Sequence, residues 1–431
     1  MPRASMVSVR GLPLRLATAV LAVTLSFGAS TVHANTFTTT ELSYDAALLS
    51  QFNLISLGNI NASPSTAAQT GLTANANVQG RVVAGSITAG NGNFAGCTSN
   101  CTGNTTIGAT SSTSAGVVAP SGGTNAAYGA ITVFGNIVGD VSVGGGSTAT
   151  AYVNGSILGN SAAPANTQSS RGGISGSNSA VLNITGTSGT SSTSIRDASA
   201  LNTTQTSTAF GGNVTNIPTK NFSVTPATSV FPFASETASF ATPLKNLYSG
   251  LANLPGTPGV KADQLPASYS GGFASGADYT ANGKTYGVVT TSLANFVAQG
   301  SSFTGVTNGT GNAATFVIIS GSGGTLPTIT SSDPKVIYDF VNATSLTIAS
   351  TFNGTILAPF ANLVQTGGTI NGTVVVASIT QSSLISNTNA FTGDLTGLNL
   401  FNYSARVPEP ASLAIIGVGV AAAALARRRR K

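Results

Sequence analysis

The chain has 431 residues, 41% of them apolar and only 6% charged, with 52 glycines and no tryptophan. This excludes a disordered chain of the usual kind, which combines low hydrophobicity with high charge, and leaves enough length for one elongated or two compact cores. The formal charge of +6 sits at the ends: between Asn35 and Arg406 nine Lys or Arg face ten Asp or Glu, a net of −1. No basic stripe remains for phosphates, so no nucleic-acid partner is expected.

Residues 1–34 read as a secretory signal peptide. Arg10 and Arg15 precede the apolar run Leu16 to Phe27, and Val32-His33-Ala34 places small residues at the cleavage positions, so the cut is expected between Ala34 and Asn35. The run is shorter than the roughly 20 residues of a membrane span. Cleavage removes both methionines and the only histidine.

From there the apolar segments are short, β-branched and bounded by Gly, Asn, Ser and Thr, as in Phe52–Leu57, Ile131–Phe134, Ala151–Val153, Thr315–Ile319 and Thr373–Val376. That is the signature of strands. An amide residue, glycine, any residue and two aliphatics recur at Gln79–Val83, Asn154–Leu158, Asn353–Leu357 and Asn371–Val375, the last two copies 18 residues apart. Stacked copies would place Ile356 beside Val374 in a mainly β fold, a β-helix or β-solenoid whose layers bury one another. Asn-Gly is also the preferred hairpin turn, so a set of hairpins in a sandwich is the competing reading. The Ser/Thr/Gly-rich stretches near 95–125, 160–175 and 185–210 read as long loops. Within the first, Cys97 and Cys101 are candidates for a disulfide in an exported chain. A metal site would need more ligands than two thiols, and none is expected.

One packed α-helix interrupts the β pattern. Phe240, Leu244, Leu247, Leu251 and Leu254 recur at helical spacing, with Thr242 as cap, Pro243 at the first position and Pro255-Gly256 as the stop. Its apolar stripe is expected to cover the core and its strand edges; a partner-binding helix is the alternative.

The chain ends in Val407-Pro408-Glu409-Pro410, a largely apolar run from Ala411 to Ala426, and the cluster Arg427 to Lys431. Residues 406–431 resemble the PEP-CTERM sorting signal of Gram-negative bacteria. The resemblance implies an exosortase-like processing enzyme as partner, processing around Pro408, Glu409 and Pro410, and transient inner-membrane insertion by the C-terminal helix. An ordinary tail anchor is the alternative. The basic cluster would stay cytoplasmic.

The body between the signals, residues 35–405, resembles the choice-of-anchor A family. The resemblance rests on Phe52–Asn59, Asn77–Gly85, the leucine-striped helix, Ala314–Gly321, Phe352–Pro359, Ile370–Val376 and Phe391–Asp394 in that order. It implies a β-helical, ice-binding-like adhesive domain of a bacterial surface protein, with no catalytic residues to carry over. Gln79 stands where an acidic residue is common, and residues 95–130 look like an insertion.

β-Helices also act on polysaccharides, so the carboxylates Asp140, Asp197, Asp263, Asp278, Asp333 and Asp339 are the candidates for a lyase or hydrolase. Asp333 and Asp339 are close enough in sequence to share a face; alternatively Asp333-Pro334 opens a turn and Asp339 ends a strand. Without a mature histidine no Ser-His-Asp triad is possible. Gly144-Gly145-Gly146 lacks the Lys-Ser/Thr of a phosphate loop, and no cofactor is expected. The reading that fits best is a non-catalytic protein exported to the cell surface or extracellular matrix, whose neutral Ser, Thr, Asn and Tyr groups meet extracellular polysaccharide or a cell-surface ligand. A carbohydrate-active enzyme is the alternative. Ice binding is a more distant one, because Thr328-Ile329-Thr330 does not recur in a Thr-x-Thr register.

Overall fold

The computed structural model describes residues 35–62, 77–89, 105–108, 131–138, 140–144, 150–153, 157–158, 173–176, 181–184, 224–226, 233–386 and 388–402. The chain is mainly β, and among the described residues the strands do not close into a barrel. Apart from one hairpin, the paired strands of the large sheet run parallel, and one row of side chains shows the register. Val289, Val317, Tyr338, Ile356, Val374, Leu54, Val82 and Ile131 succeed one another across eight strands. All eight are buried. Ile356 and Val374 are therefore register partners. Spatial order departs from chain order at one point: the strand Phe52–Ala62 lies between Val374–Gln381 and Arg81–Ala89.

The recurring amide-glycine pair sets this stacking. Gly354 and Gly372 have φ of +131° and +143°, which side chains other than glycine's tolerate poorly. The space a Cβ on Gly372 would fill holds the Gly354 carbonyl, and the Tyr338 ring occupies the corresponding space at Gly354. Asn371 Nδ2 donates to Asn353 Oδ1 at 2.6 Å, linking the two copies. At these sites the hairpin reading fails, since Phe352–Asn353 and Ile370–Asn371 pair in parallel. An Asn-Gly hairpin occurs instead at Asn282-Gly283, joining Tyr279–Ala281 to Lys284–Ser292. The copy ending at Leu158 also departs from the expected stack. Its Ile157 and Leu158 pair with Ile137 and Val138, not with the row through Val82.

The strands Thr355–Gln365, Val374–Gln381, Phe52–Ala62 and Arg81–Ala89 each break register part-way, at a corner, and continue as a second ladder. The corner backbones touch: a side chain on Gly85 would meet the Gly58 carbonyl, and one on Gly135 the Gly85 carbonyl. In the second ladder Leu346, Leu363, Ile379, Ile60, Ile87 and Ile137 point inward. A third ladder supplies Phe352, Ile370, Ile385 and Val78 in register. The inward rows of all three share one apolar core. The Gly/Ser/Thr-rich stretches are not loop throughout. Thr105–Gly108 and Gly173–Gly176 are strands on this third ladder, because backbone pairing needs no apolar side chain.

Three helices complete the described fold, where the spacing predicts one. Helix α1, Thr39–Gln51, begins with a capping box in which Glu41 N donates to Thr38 Oγ1 at 3.2 Å and Thr38 N to Glu41 Oε2 at 2.7 Å. Helix α2, Phe233–Asn253, starts earlier than expected, so Pro243 lies inside it and not at its first position. The helix forgoes one hydrogen bond there. The leucine stripe does cover the sheet: Leu244, Leu247, Leu251 and Leu254 are fully buried with Phe316, Ile318, Leu357, Val375 and Ile55. Helix α3, Leu293–Val297, is capped by Ser292 and packs on the strand Gly323–Thr325 at the end of the second ladder.

Candidate functional site

The carboxylates proposed for chemistry go to separate structural tasks. Asp339 sits on the sheet face beneath the helices, in register between Ile318 and Leu357. It is 0% exposed, and neither carboxyl oxygen has a hydrogen-bond partner. Burial seals the group from solvent and pushes its pKa well above the ordinary carboxylate range. Asp333 opens a turn: its Oδ2 accepts from Asn308 N at 2.7 Å and its Oδ1 from Lys335 N at 3.0 Å. The two do not meet as an acid–base pair.

Asp263 and Asp278 do converge, around Gly276. Asp263 Oδ2 accepts from Gly276 N at 2.8 Å and Asp278 Oδ2 from Val288 N at 2.7 Å. Burial raises Asp278, the Val288 N–H opposes this, and the Asp263 charge adds to the rise. Among the described residues no three metal-ligating side chains cluster, here or elsewhere. Asp394, in the closing Phe391–Asp394 stretch, is a clamp. Burial works to raise it, but Lys284 and Thr396 bond its carboxylate and hold it below the ordinary range. Asp140 lies in a strand whose side chains are not described, and Asp197 is outside the described residues. So are Ala34, Cys97, Cys101 and Pro408-Glu409-Pro410; Asn35 begins the described chain.

The second ladder presents a different kind of surface. Its strands carry the triplets Asn59-Ile60-Asn61, Ser86-Ile87-Thr88, Asn136-Ile137-Val138, Ser345-Leu346-Thr347, Asn362-Leu363-Val364 and Ser378-Ile379-Thr380. Alternation along a strand sends the central aliphatic inward and the flanking residues outward. The registers align the triplets, giving two outward rows. Within one of them Ser378 Oγ donates to Asn362 Oδ1 at 2.5 Å. No Asp, Glu, Lys or Arg stands in these triplets. A Thr-x-Thr pattern does not capture these triplets: four carry Ser, Thr or Asn on both sides of an Ile or Leu, and two, Asn136-Ile137-Val138 and Asn362-Leu363-Val364, end in Val.

At the corner beside these rows Phe360 is 51% exposed. Its ring lies edge-on to Tyr248 at 5.4 Å between centroids, with Lys245 Nζ 5.5 Å from its centre. Among the described residues no helix is long and apolar enough to cross a membrane.

Comparison with known families places these features. The ice-binding-like adhesive domain matches residues 45–387, and the PEP-CTERM protein-sorting motif matches residues 406–431. The former is compatible with the resemblance to choice-of-anchor A proteins. No curated protein and no solved structure matches the chain.

Proposed function

The chain belongs to the ice-binding-like adhesive domain family and ends in the PEP-CTERM sorting motif of an exported protein, and from that premise we propose that it is a non-catalytic adhesive protein of the cell surface or extracellular matrix that associates with polysaccharide. The observation that carries the reading is the uncharged pair of outward rows on the second ladder. Neutral hydroxyl and amide groups on a rigid sheet offer hydrogen bonds without a charged partner. The burial of Asp339 out of reach of any substrate and the turn role of Asp333 favour adhesion over hydrolysis, which needs two carboxyls flanking the bond to be cut.

The architecture behind this reading is a β-helix: the parallel ladders, their shared core and the bend at Gly58, Gly85 and Gly135 are what successive coils would produce. The processing scheme is part of the proposal. The leader, residues 1–34, is cut between Ala34 and Asn35. Residues 35–405 form the adhesive body, and Cys97 and Cys101 close a small ring within it. The tail, residues 406–431, inserts its apolar helix into the inner membrane of a Gram-negative cell, where an exosortase-like enzyme acts near Pro408, Glu409 and Pro410.

The test uses the exported protein and extracellular polysaccharide from the same cells. Co-sedimentation is expected with no change in polymer size distribution over time. Accumulating reducing ends or unsaturated sugars, lost on Asp333→Asn or Asp339→Asn, would replace the adhesive reading with an enzymatic one.

A further inference from the structure

We propose that the two outward rows of the second ladder are the seat of the polysaccharide, and that they take a linear, uncharged glycan laid across the strands. This rests on the adhesive reading above and adds to it the surface, the ligand class and the orientation.

The first argument is about coverage. Parallel sheets are covered on both faces as a rule. Here α1 and α2 cover the outer face of the first ladder, while Asn59, Asn61, Asn136, Ser345 and Asn362 on the second are exposed or only part-buried. A bare protein surface ordinarily keeps itself soluble with interspersed charges, and these triplets contain none. The face is thus built like one that receives a partner.

The second argument is about which partner. Thr and Val offer methyl groups, and Ser, Thr and Asn offer neutral donors and acceptors. A sugar presents the same mixture, with C–H faces and hydroxyl edges. Within the described residues the side chains of Asn61, Thr88, Thr347 and Thr380 make no hydrogen bond, so their polar groups are available. Without charge on the strip, an acidic or basic polymer gains nothing there.

The third argument is about shape. Strands stand about 4.8 Å apart and successive outward residues about 6.6 Å apart, so six triplets make a strip about 24 Å long and two side chains wide. Its area, on the order of 300 Å², is well below the ~800 Å² per partner of a stable protein interface. A long narrow strip suits an extended polymer better than a second folded domain.

Adsorption to amorphous cellulose, the probe for a linear neutral glycan, tests this with the full exported chain. The wild type should bind, with little change between low and high salt. Combined Thr347→Lys and Thr380→Lys should weaken binding about tenfold or more, equivalent to at least ~1.4 kcal/mol. Thr392→Lys, at an exposed position outside the triplets, should bind as the wild type. If the lysine variants do not fold, Thr347→Val and Thr380→Val preserve shape while removing the hydroxyls, and should also weaken binding. Unchanged binding by a folded face variant overturns the proposal. So does failure of the wild type to bind cellulose while it still sediments with the native matrix; the adhesive reading then stands without this site. Ice-growth arrest that the face variants abolish, with no glycan retained, also overturns it. Loss of matrix association by the wild type itself removes the adhesive reading as well.

Discussion

Replacing Asp339 with leucine should stabilise the protein, and the gain should grow with pH. Asp339 lies in a row whose neighbours are Ile318 and Leu357, and its two oxygens are buried without partners. Leaving such a polar group unsatisfied costs about 1–3 kcal/mol, which Asp339→Leu removes at any pH, less whatever strain the new side chain introduces. A second contribution depends on protons. The folded carboxyl has its pKa raised well above 3.8 by burial, so between the unfolded and folded values the native state holds a proton that the unfolded state has lost. Wild-type stability therefore falls as pH rises through that window, by about 1.4 kcal/mol per pH unit from this group. Below the unfolded value the effect is absent, and above the folded value it levels off. Asp45, also buried and raised by burial and by Glu41, is common to both proteins and cancels in their difference. Urea denaturation of the full chain at pH 4, 5, 6 and 7 measures that difference directly. A gap that stays constant from pH 4 to pH 7 would refute the buried proton.

Trimming Ile356 to alanine, at the centre of the inward row, should cost about 2–5 kcal/mol in the same denaturation assay, and a loss under ~1 kcal/mol would contradict its place between Tyr338 and Val374. Gly372→Ala should lower stability by about 1–3 kcal/mol through backbone strain alone, with a further loss from contact with the Gly354 carbonyl; an unchanged melting temperature would count against the close stacking. The unprocessed chain has a pI of about 9.5, whereas the body of residues 35–405, without Arg406 and the rest of the tail, has eight Lys or Arg against ten Asp or Glu, a net of −2, so isoelectric focusing of the exported form should find a near-neutral to slightly acidic species. A mature form still focusing near the full-chain value would show that the basic tail is retained.

The parts of the fold legible in the sequence were those where one residue type has one physical use. Asn353-Gly354 and Asn371-Gly372 announced a positive φ and a close approach, and the aliphatics after them, Ile356 and Val374, stack as their spacing required. The leucines of α2 were equally direct, because four-three spacing has few other meanings. Helix α1 was missed although Thr38 and Glu41 spell its capping box, since its buried positions include Tyr44 and Asp45 alongside leucines and blur the apolar stripe. The start of α2 was misplaced because Thr242-Pro243 is a good opening in isolation, and tertiary packing carries the helix through it. For Asp339 the sequence leaves two readings open, a face shared with Asp333 or the end of a strand, and it lies instead within the strand Val336–Val341. A carboxylate in a strand suggests an exposed face, and nothing local reveals that a helix 90 positions away covers it.

The same long-range dependence governs how the fold closes. The strand Phe52–Ala62 gains its first neighbour from Arg81–Ala89, soon after it in sequence, but its second only from Val374–Gln381. Thr373 Oγ1 donates to the Leu49 carbonyl at 2.5 Å across 324 positions, and Asn53 Nδ2 to the Gly372 carbonyl at 3.4 Å across 319. Phe37 N–H reaches the Leu400 carbonyl at 3.0 Å. Such pairings form late, because the chain entropy of joining distant segments is lost before their contacts are gained. Until residue 381 is available, one edge of the first long strand stays open, and open edges invite pairing with other chains. The residues after the closing strand arrive later still. A sorting signal at 406–431 therefore follows every element the described fold needs, and separating it from the body removes no strand of that fold.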